Sequence, residues 1–580
     1  EVVETLKGPA PAAKQMSIAL GQELDDDEVK SPFAGKKTAT AILFLSEKGD
    51  QAAADEPDGA LLIETLWFAV SRQGGKLVLD KDKRDLFAVW AGSARMLAAA
   101  ARYVQSEPLA EFPVRSEMSW GESLKLGKLA GPARGCLVAD LGKPAGLCAI
   151  VLSPAGDRVY RAAPKGGKPG DVTAEVKLGT ASRVAVVGDF TGHGRADLLS
   201  WDGRSLQLAA QTADGTFAAP KPCGQLAQCA SLDCIDAGGP RPALVAGTGQ
   251  GPLLLLWDAG GVLKPQPLAA APDQETLAKL GAGGLCVTAD FNAEGRTDVM
   301  ALFTAGALFY AGEGPGKFKA PRPIIVPLVD QPVAALCGDF DADGSLDVLV
   351  AGKDGLAVLS RESPDRWNNV TYLTGELAYH GNANRPQIMG CAPCDVNTDG
   401  RQGMTVFYAD RKPLLFFNRG FACFGWAREL DLDPSATSSE SGLPDPLSQP
   451  KPAGAEGPDD LKQGQSCGAI MDLNGDGIPD MLAVGAKERE VWAVFGRRDQ
   501  GQARRTCILA LPPSAAGPVT VTVRDKGRIA GMYVLRPGVP TYVGRPEAGP
   551  MTLAWTGRDG KPVSRQVVVV ASGSRFEIAP

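Results

Sequence analysis

The hydrophobic positions of this chain fall in short runs separated by polar, glycine-rich turns, and many of those runs end in an aspartate. Val184 to Val187, Leu285 to Thr288 and Val333 to Leu336 each precede such an aspartate. A second run follows the turn (Asp197 to Ser200, Asp298 to Phe303, Asp347 to Ala351). A third follows another glycine turn (Leu206 to Ala210, Ala307 to Tyr310, Leu356 to Leu359). Two copies add Gly-x-Phe and a proline-bearing edge, Gly215 to Pro220 and Gly316 to Pro321. Short strands at this spacing, with no helical period between them, predict four strands per repeat and a propeller blade from each repeat. Proline suits the outermost strand, where no neighbour needs its missing N–H.

The leading aspartates of these turns are Asp140, Asp189, Asp236, Asp290, Asp339, Asp395 and Asp472, spaced 49, 47, 54, 49, 56 and 77 residues apart. Five near-equal steps and one long one predict seven units, with an insertion in the last gap. The two clearest turns, loops 5 and 7, read D-F-D-A-D-G-S-L-D from Asp339 and D-L-N-G-D-G-I-P-D from Asp472. Oxygen side chains stand at positions one, three, five and nine: Asp339, Asp341, Asp343 and Asp347, then Asp472, Asn474, Asp476 and Asp480. Ser345 and Ile478, at the seventh positions, complete the candidate ligand sets. A hard cation such as calcium wants six to eight oxygens around a sharp turn. Gly344 and Gly477 suit that turn because a residue without Cβ takes positive φ at no steric cost.

The other loops are more worn. Loop 4 keeps Asp290, Asn292, Glu294 and Asp298, and loop 6 keeps Asp395, Asn397 and Asp399 but has Gly403 at position nine. Loop 2, from Asp189, puts His193 where a carboxylate belongs, and imidazole is a poor calcium ligand. Around Asp140 and Asp236 (loops 1 and 3) only the leading aspartate and small residues survive. Such turns can also be Asx-turns that close a hairpin without metal. The expectation is Ca2+ in two loops, and in up to four.

From about Gly131 to Pro512 the chain resembles the FG-GAP and VCBS repeat family, the calcium-loop propellers that include the integrin alpha-subunit headpiece. The resemblance implies a seven-bladed propeller with calcium in hairpin loops on one face. The stretch Leu415-Phe-Phe-Asn418-Arg-Gly420-Phe421, followed by a small β domain, is similar to bacterial members with a UnbV-type tail.

The flanks complete the expected organisation: mainly β, a seven-bladed β-propeller with a small N-terminal α/β domain and a C-terminal β-sandwich. Residues 1–36 read as an extended arm with an acidic cluster from Glu23 to Glu28. Residues 37–125 read as the α/β domain, with a strand over Ala39 to Leu45 and a helix over Leu86 to Val104. Ala60 to Val70 is so uniformly apolar that helix and buried strand share its pattern. The propeller spans 126–512, and 430–465, rich in Pro, Ser, Gly and Asp, reads as a surface loop. The β-sandwich takes 513–580, where runs such as Val519 to Val523 and Gln566 to Val570 alternate with turns.

Composition narrows the function. A net charge of −7 with no basic stripe argues against nucleic acid. No apolar run is long enough to span a membrane as a helix. The start at Glu1 reads as a processed end, and hence as a secreted or periplasmic protein. Of twelve cysteines, Cys136, Cys234, Cys286, Cys337, Cys391 and Cys467 recur just before the aspartates, which suits small buried core residues. Disulfides among Cys223, Cys229 and Cys234 remain open, and Cys391-Ala-Pro-Cys394 has the spacing of a redox pair. Only two histidines occur, His193 and His380, and no nucleophile elbow, zinc motif or phosphate loop appears. The reading is a non-catalytic, extracytoplasmic interaction scaffold or accessory subunit that binds a protein partner. The alternative is a carbohydrate-binding or carbohydrate-cleaving propeller, favoured if Trp367, Tyr372 and Tyr379 cluster at the surface.

Overall fold

In the computed structural model the first hydrophobic run of every repeat is a strand that ends at, or just before, its aspartate: Gly135–Asp140, Val184–Gly188, Ser231–Ile235, Gly283–Ala289, Pro332–Gly338, Ile388–Cys394 and Gln465–Met471. The structure describes residues 118–429, 459–498 and 505–579 apart from 166, 271, 342, 364–365, 380, 383–385, 396–397, 399, 419, 421 and 546–547. Before them it describes 18–19, 41–45, 59–63, 66–73, 76–80 and 97–98. The chain divides into two compact units, Glu1–Pro113 with Asp341–Asp343, and Val114–Phe340 with Gly344–Pro580.

Each first strand pairs antiparallel with the strand after its loop, and third and fourth strands follow outward. In repeat 2 the order is Val184–Gly188, Asp197–Trp201, Ser205–Ala209, Lys221–Gln225, and Gly188 stands opposite Asp197 across the loop. The second strands are buried throughout, as in Asp298–Phe303 and Asp347–Gly352. They are packed on both faces, so continuous apolar runs replace alternation. Prolines do occupy outer strands, Pro222, Pro265 and Pro323, where one edge is free.

The seventh sheet is completed from the other end of the repeats. Met118–Lys128 pairs antiparallel with Glu490–Arg498 and forms its fourth strand. Residues 118–125 therefore belong to a repeat sheet, where the sequence reading placed the end of the α/β domain. The packing follows the same circuit. Hydrophobic clusters lie between consecutive sheets, for example Phe190, Leu199 and Trp201 with Cys234 and Leu244, or Phe291 and Phe309 with Val348 and Trp367. One cluster joins the last repeat to the first: Cys467, Leu473 and Leu482 with Ala149 and Val151. The body is mainly β and propeller-like.

Beyond Arg505, two further sheets share one core. Arg528–Leu535, Val519–Asp525, Gly549–Thr556 and Pro562–Val569 lie in that order, and Arg505–Ala510 is flanked by Thr541–Arg545 and Ser574–Glu577. Leu509, Val521, Leu535, Val543, Leu553 and Val569 pack between them. The first of these sheets is continuous with repeat 5, because Tyr533 pairs with Gly338.

The N-terminal unit holds a five-stranded sheet in the order Ile18–Ala19, Lys76–Asp80, Leu66–Gln73, Gly59–Ile63, Ala41–Leu45. The apolar stretch Ala60 to Val70 is thus two strands of a hairpin, with Gly59 opposite Val70. Most of the expected helix, the acidic cluster and the 430–458 part of the surface loop lie outside the described residues.

All twelve cysteines are free, and nine of them are buried. Burial pushes the Cys223, Cys229 and Cys467 thiols up to about 12. Cys391, pushed up to about 12 in the same way, is no reactive thiolate, and the Cys394 thiol sits 3.4 Å from the Thr405 hydroxyl. These are core residues.

Candidate metal centres

Every loop with aspartates at positions one and nine is closed by the same hydrogen bonds. One oxygen of the ninth residue accepts the N–H of the second: Phe190 to Asp197 at 2.9 Å, Phe291 to Asp298 at 3.0 Å, Phe340 to Asp347 at 2.9 Å, Leu473 to Asp480 at 2.7 Å. Its other oxygen accepts an N–H from the end of the third strand or just beyond it: Gln211, Gly312, Arg361 and Gly496 respectively. The first aspartate accepts the N–H of the glycine at position six, from 2.6 Å at Gly194 to 3.1 Å at Gly344. The second residue is buried between sheets: Phe190, Phe340 and Leu473 are 0 % exposed. The aspartates at the ends of the loop thus shape the hairpin whether or not a cation is present. A carboxylate has about four lone-pair sites, so these bonds leave room for a metal as well.

Loop 5 goes further. Oxygens of Asp339, Asp341 and Asp347 lie within 4.8 Å of one another, and all three residues are buried. Charges converging there repel one another, and a calcium ion bound at about 2.3–2.6 Å would turn that repulsion into attraction. Ser345 is buried beside them. Gly344, at φ +82°, makes the turn.

Residues 290–350 match the FG-GAP-like repeat family. The match runs from the aspartate of loop 4 through the whole of loop 5 and into its second strand, Asp347–Gly352. No curated protein matches the chain in sequence. Among solved structures, a lectin from Agrocybe aegerita that recognises non-reducing terminal N-acetylglucosamine is 15 % identical, covering 55 % of this chain and 91 % of its own, with a TM-score of 0.39. BBS1N in complex with ARL6DN is 9 % identical over 67 % of this chain and 99 % of its own, with a TM-score of 0.40. Likenesses this distant carry no inference about function.

Outside the matched FG-GAP-like repeat, loop 7 has a comparable donor set in sequence, but among the described residues only loop 5 brings three carboxylates within 4.8 Å of one another. The Asn474 side chain bonds Asp476 at 3.1 Å, and Asp476 in turn accepts the Ile478 N–H at 2.8 Å. Burial, reinforced by Asp476 and Asp472, pushes the Asp480 carboxyl up to about 8. A carboxyl that keeps its proton at neutral pH must release it to bind a divalent cation, so calcium at loop 7 would bind more tightly as pH rises. In loop 4 burial pushes Asp298 up to about 7, with Asp290 contributing. There, however, Arg296 binds the Glu294 carboxylate, and Asn292 accepts the Glu294 N–H. In loop 6 Asp395 accepts the Gly400 N–H, while Asn397 and Asp399 lie outside the described residues. In loop 2 the Thr191 hydroxyl donates to Asp197 at 2.8 Å, closing the centre without metal.

The C-terminal strands, which the sequence reading set apart, reach every loop. The Asp140 N–H donates to the Gly538 carbonyl, the Asp189 N–H to Pro513, the Asp290 N–H to the Thr520 hydroxyl and the Asp472 N–H to the Tyr542 hydroxyl. Asp395 accepts the Gly544 N–H at 2.7 Å, and the Tyr533 hydroxyl donates to Gly400. Arg558 pairs with Asp236 at 3.0 Å, and the Tyr533–Gly338 pairing lies beside Asp339. A Cβ on Gly477 would meet Ser572 at 2.5 Å, and one on Gly295 the Gly557 carbonyl at 2.6 Å. Those glycines serve the docking as well as the turn. Nothing in local spacing could have signalled this, because the partners come from the far end of the chain.

Proposed function

We propose that this chain is a non-catalytic, extracytoplasmic, calcium-stabilised propeller of seven blades with a C-terminal β-sandwich, acting as a protein–protein interaction scaffold or accessory subunit. The observation that carries this reading is the closed circuit of repeat sheets joined to an FG-GAP-like repeat. Such a body offers a wide, rigid surface. Calcium would be held by Asp339, Asp341, Asp343 and Asp347 with Ser345, and by Asp472, Asn474, Asp476 and Asp480 with the Ile478 carbonyl, supplying a rigid turn and no chemistry. Loops 4 and 6 are the weaker candidates.

Because the C-terminal strands engage the loop side, a partner would approach from the opposite side, where second and third strands turn. Tyr372, 66 % exposed, stands there on the turn Thr371–Leu373. The glycan alternative needed an aromatic surface cluster. Trp367 is instead buried, with its ring 5.5 Å from Phe291 and 6.1 Å from Phe309, and the Tyr379 side chain lies outside the described residues.

Native mass spectrometry of protein taken gently from its source, with calcium retained, tests the proposal. A complex heavier than the lone chain is expected. A calcium-loaded monomer would overturn the assembly reading, and glycan-array binding would then be measured.

A further inference from the structure

The two most degenerate loops keep a leading aspartate although they have lost every other cation ligand. In both, that aspartate meets an arginine from the C-terminal sheets, Arg575 on the strand Ser574–Glu577 and Arg558 on the turn after Gly549–Thr556. Arg575 Nη1 lies 2.5 Å from Asp140 Oδ2, and Arg558 Nη2 lies 3.0 Å from Asp236 Oδ2. Beside loop 3, on the strand Ser231–Ile235, Asp233 is gripped by Arg536 through Nε at 3.1 Å and Nη2 at 3.0 Å, and it also accepts the Thr288 hydroxyl at 2.6 Å. Arg536 and Val534 line a cavity of about 280 Å³ together with Leu232, Leu285 and Leu336 of the first strands. The C-terminal residues therefore place a guanidinium at loop 1, another at loop 3, and a third in the space between the first strands.

We propose that the loop side of the repeats is a docking surface whose occupant is this chain's own pair of C-terminal sheets, residues 505–580, and that Arg558 and Arg575 stand in for the cation at loops 3 and 1. An arginine supplies a permanent positive charge and a planar fork suited to a carboxylate. One arginine neutralises one leading aspartate, so the aspartates at positions three, five and nine are no longer required. The same charge also fixes where the C-terminal unit sits. Between these anchors, backbone bonds to Asp140, Asp189 and Asp395 set its register. The inference does not need metal in the remaining loops.

Hydrogen exchange on the full chain tests it, comparing the wild type with Arg558→Glu/Arg575→Glu and with the swapped pair Asp140→Arg/Arg575→Asp. Charge reversal places like charges at both anchors, and exchange across 505–580 and at the tips of loops 1 and 3 is expected to rise about tenfold. The second strands Leu147–Leu152 and Ala243–Gly247 should stay protected. The swap should restore protection relative to Arg575→Asp alone. Should the reversed protein fail to fold, the wild type in about 1 M salt gives the same reading, since exposed pairs are screened there. Unchanged exchange on reversal or in salt, or a swap no better than the single variant, would overturn the proposal. Adding chelator separates the two ideas: loosening by charge reversal alone, with no response to chelator, would leave the arginine assignment standing and remove the calcium reading.

Discussion

Loop 2 and loop 7 share a backbone and differ at the centre. In both, the ninth aspartate takes the N–H of the second residue, and the first takes the N–H of the sixth glycine, at φ +75° in Gly194 and +81° in Gly477. In loop 2 position five is His193, and the Thr191 hydroxyl fills the centre by bonding Asp197. In loop 7 position five is Asp476, and burial leaves Asp480 protonated up to about pH 8. The difference teaches that the aspartates at the ends of the loop build the turn, while positions three and five decide whether it wants a cation. A leading aspartate alone is therefore no sign of metal.

The largest expected contrast comes from the sixth glycine. Gly477→Ala combines a strained positive φ with a Cβ 2.5 Å from Ser572, and should cost about 2–4 kcal/mol. Gly194→Ala meets nothing within 4 Å and should cost only the strain, about 1 kcal/mol. Urea midpoints check this, and equal losses would mean that the C-terminal unit does not press on loop 7.

Chelation comes next. Removing calcium present at about a hundredfold over its Kd withdraws about 2.7 kcal/mol per site. The melting temperature should fall by several degrees in EGTA. Asp343→Ala or Asp476→Ala should remove much of that response, while His193→Ala should leave it intact. A melt indifferent to chelator would make all of these loops plain turns.

A smaller effect is the pH slope without calcium. Asp480 and Asp298 have folded pKa values raised to about 8 and about 7, both by burial, so unfolding releases their protons. Their contribution is present at acid pH and lost as pH rises through 7 to 8. In EGTA, Asp480→Asn should flatten that decline, by up to about 1.4 kcal/mol per pH unit. With calcium the sense reverses, since the ion displaces the proton and binds more tightly as pH rises. An identical slope in the variant would place the Asp480 pKa elsewhere.

The smallest change expected is in His193→Asp. With Thr191 still bonding Asp197, calcium stoichiometry by equilibrium dialysis should not rise, whereas Thr191→Asp/His193→Asp should add a site. A gain from the single variant would show that position five alone is decisive.

The elements were legible where local rules act. The first strands, the antiparallel second strands and the glycine turns follow from short apolar runs and turn chemistry, and the repeat spacing located all seven leading aspartates. Ala60 to Val70 was illegible by period and proved to be a hairpin, Gly59–Ile63 with Leu66–Gln73. Whether Trp367 clusters at the surface was open from sequence, and its ring packs against Phe291 of the preceding repeat. Glu294 fits a ligand position by spacing, and its carboxylate goes to Arg296.

By itself, then, the sequence determined the repeat, its strands and the loops able to offer several oxygens to one cation, because each depends on residues a few positions apart. Only the tertiary structure decided the rest. It drew Met118–Lys128 into the last sheet, left the cysteines as free thiols, and set Arg575, Arg558 and Arg536 on Asp140, Asp236 and Asp233. Those pairings join residues hundreds of positions apart. Spacing carries no record of them, since they arise only when the sheets have closed and the C-terminal strands have found the side where the aspartates stand.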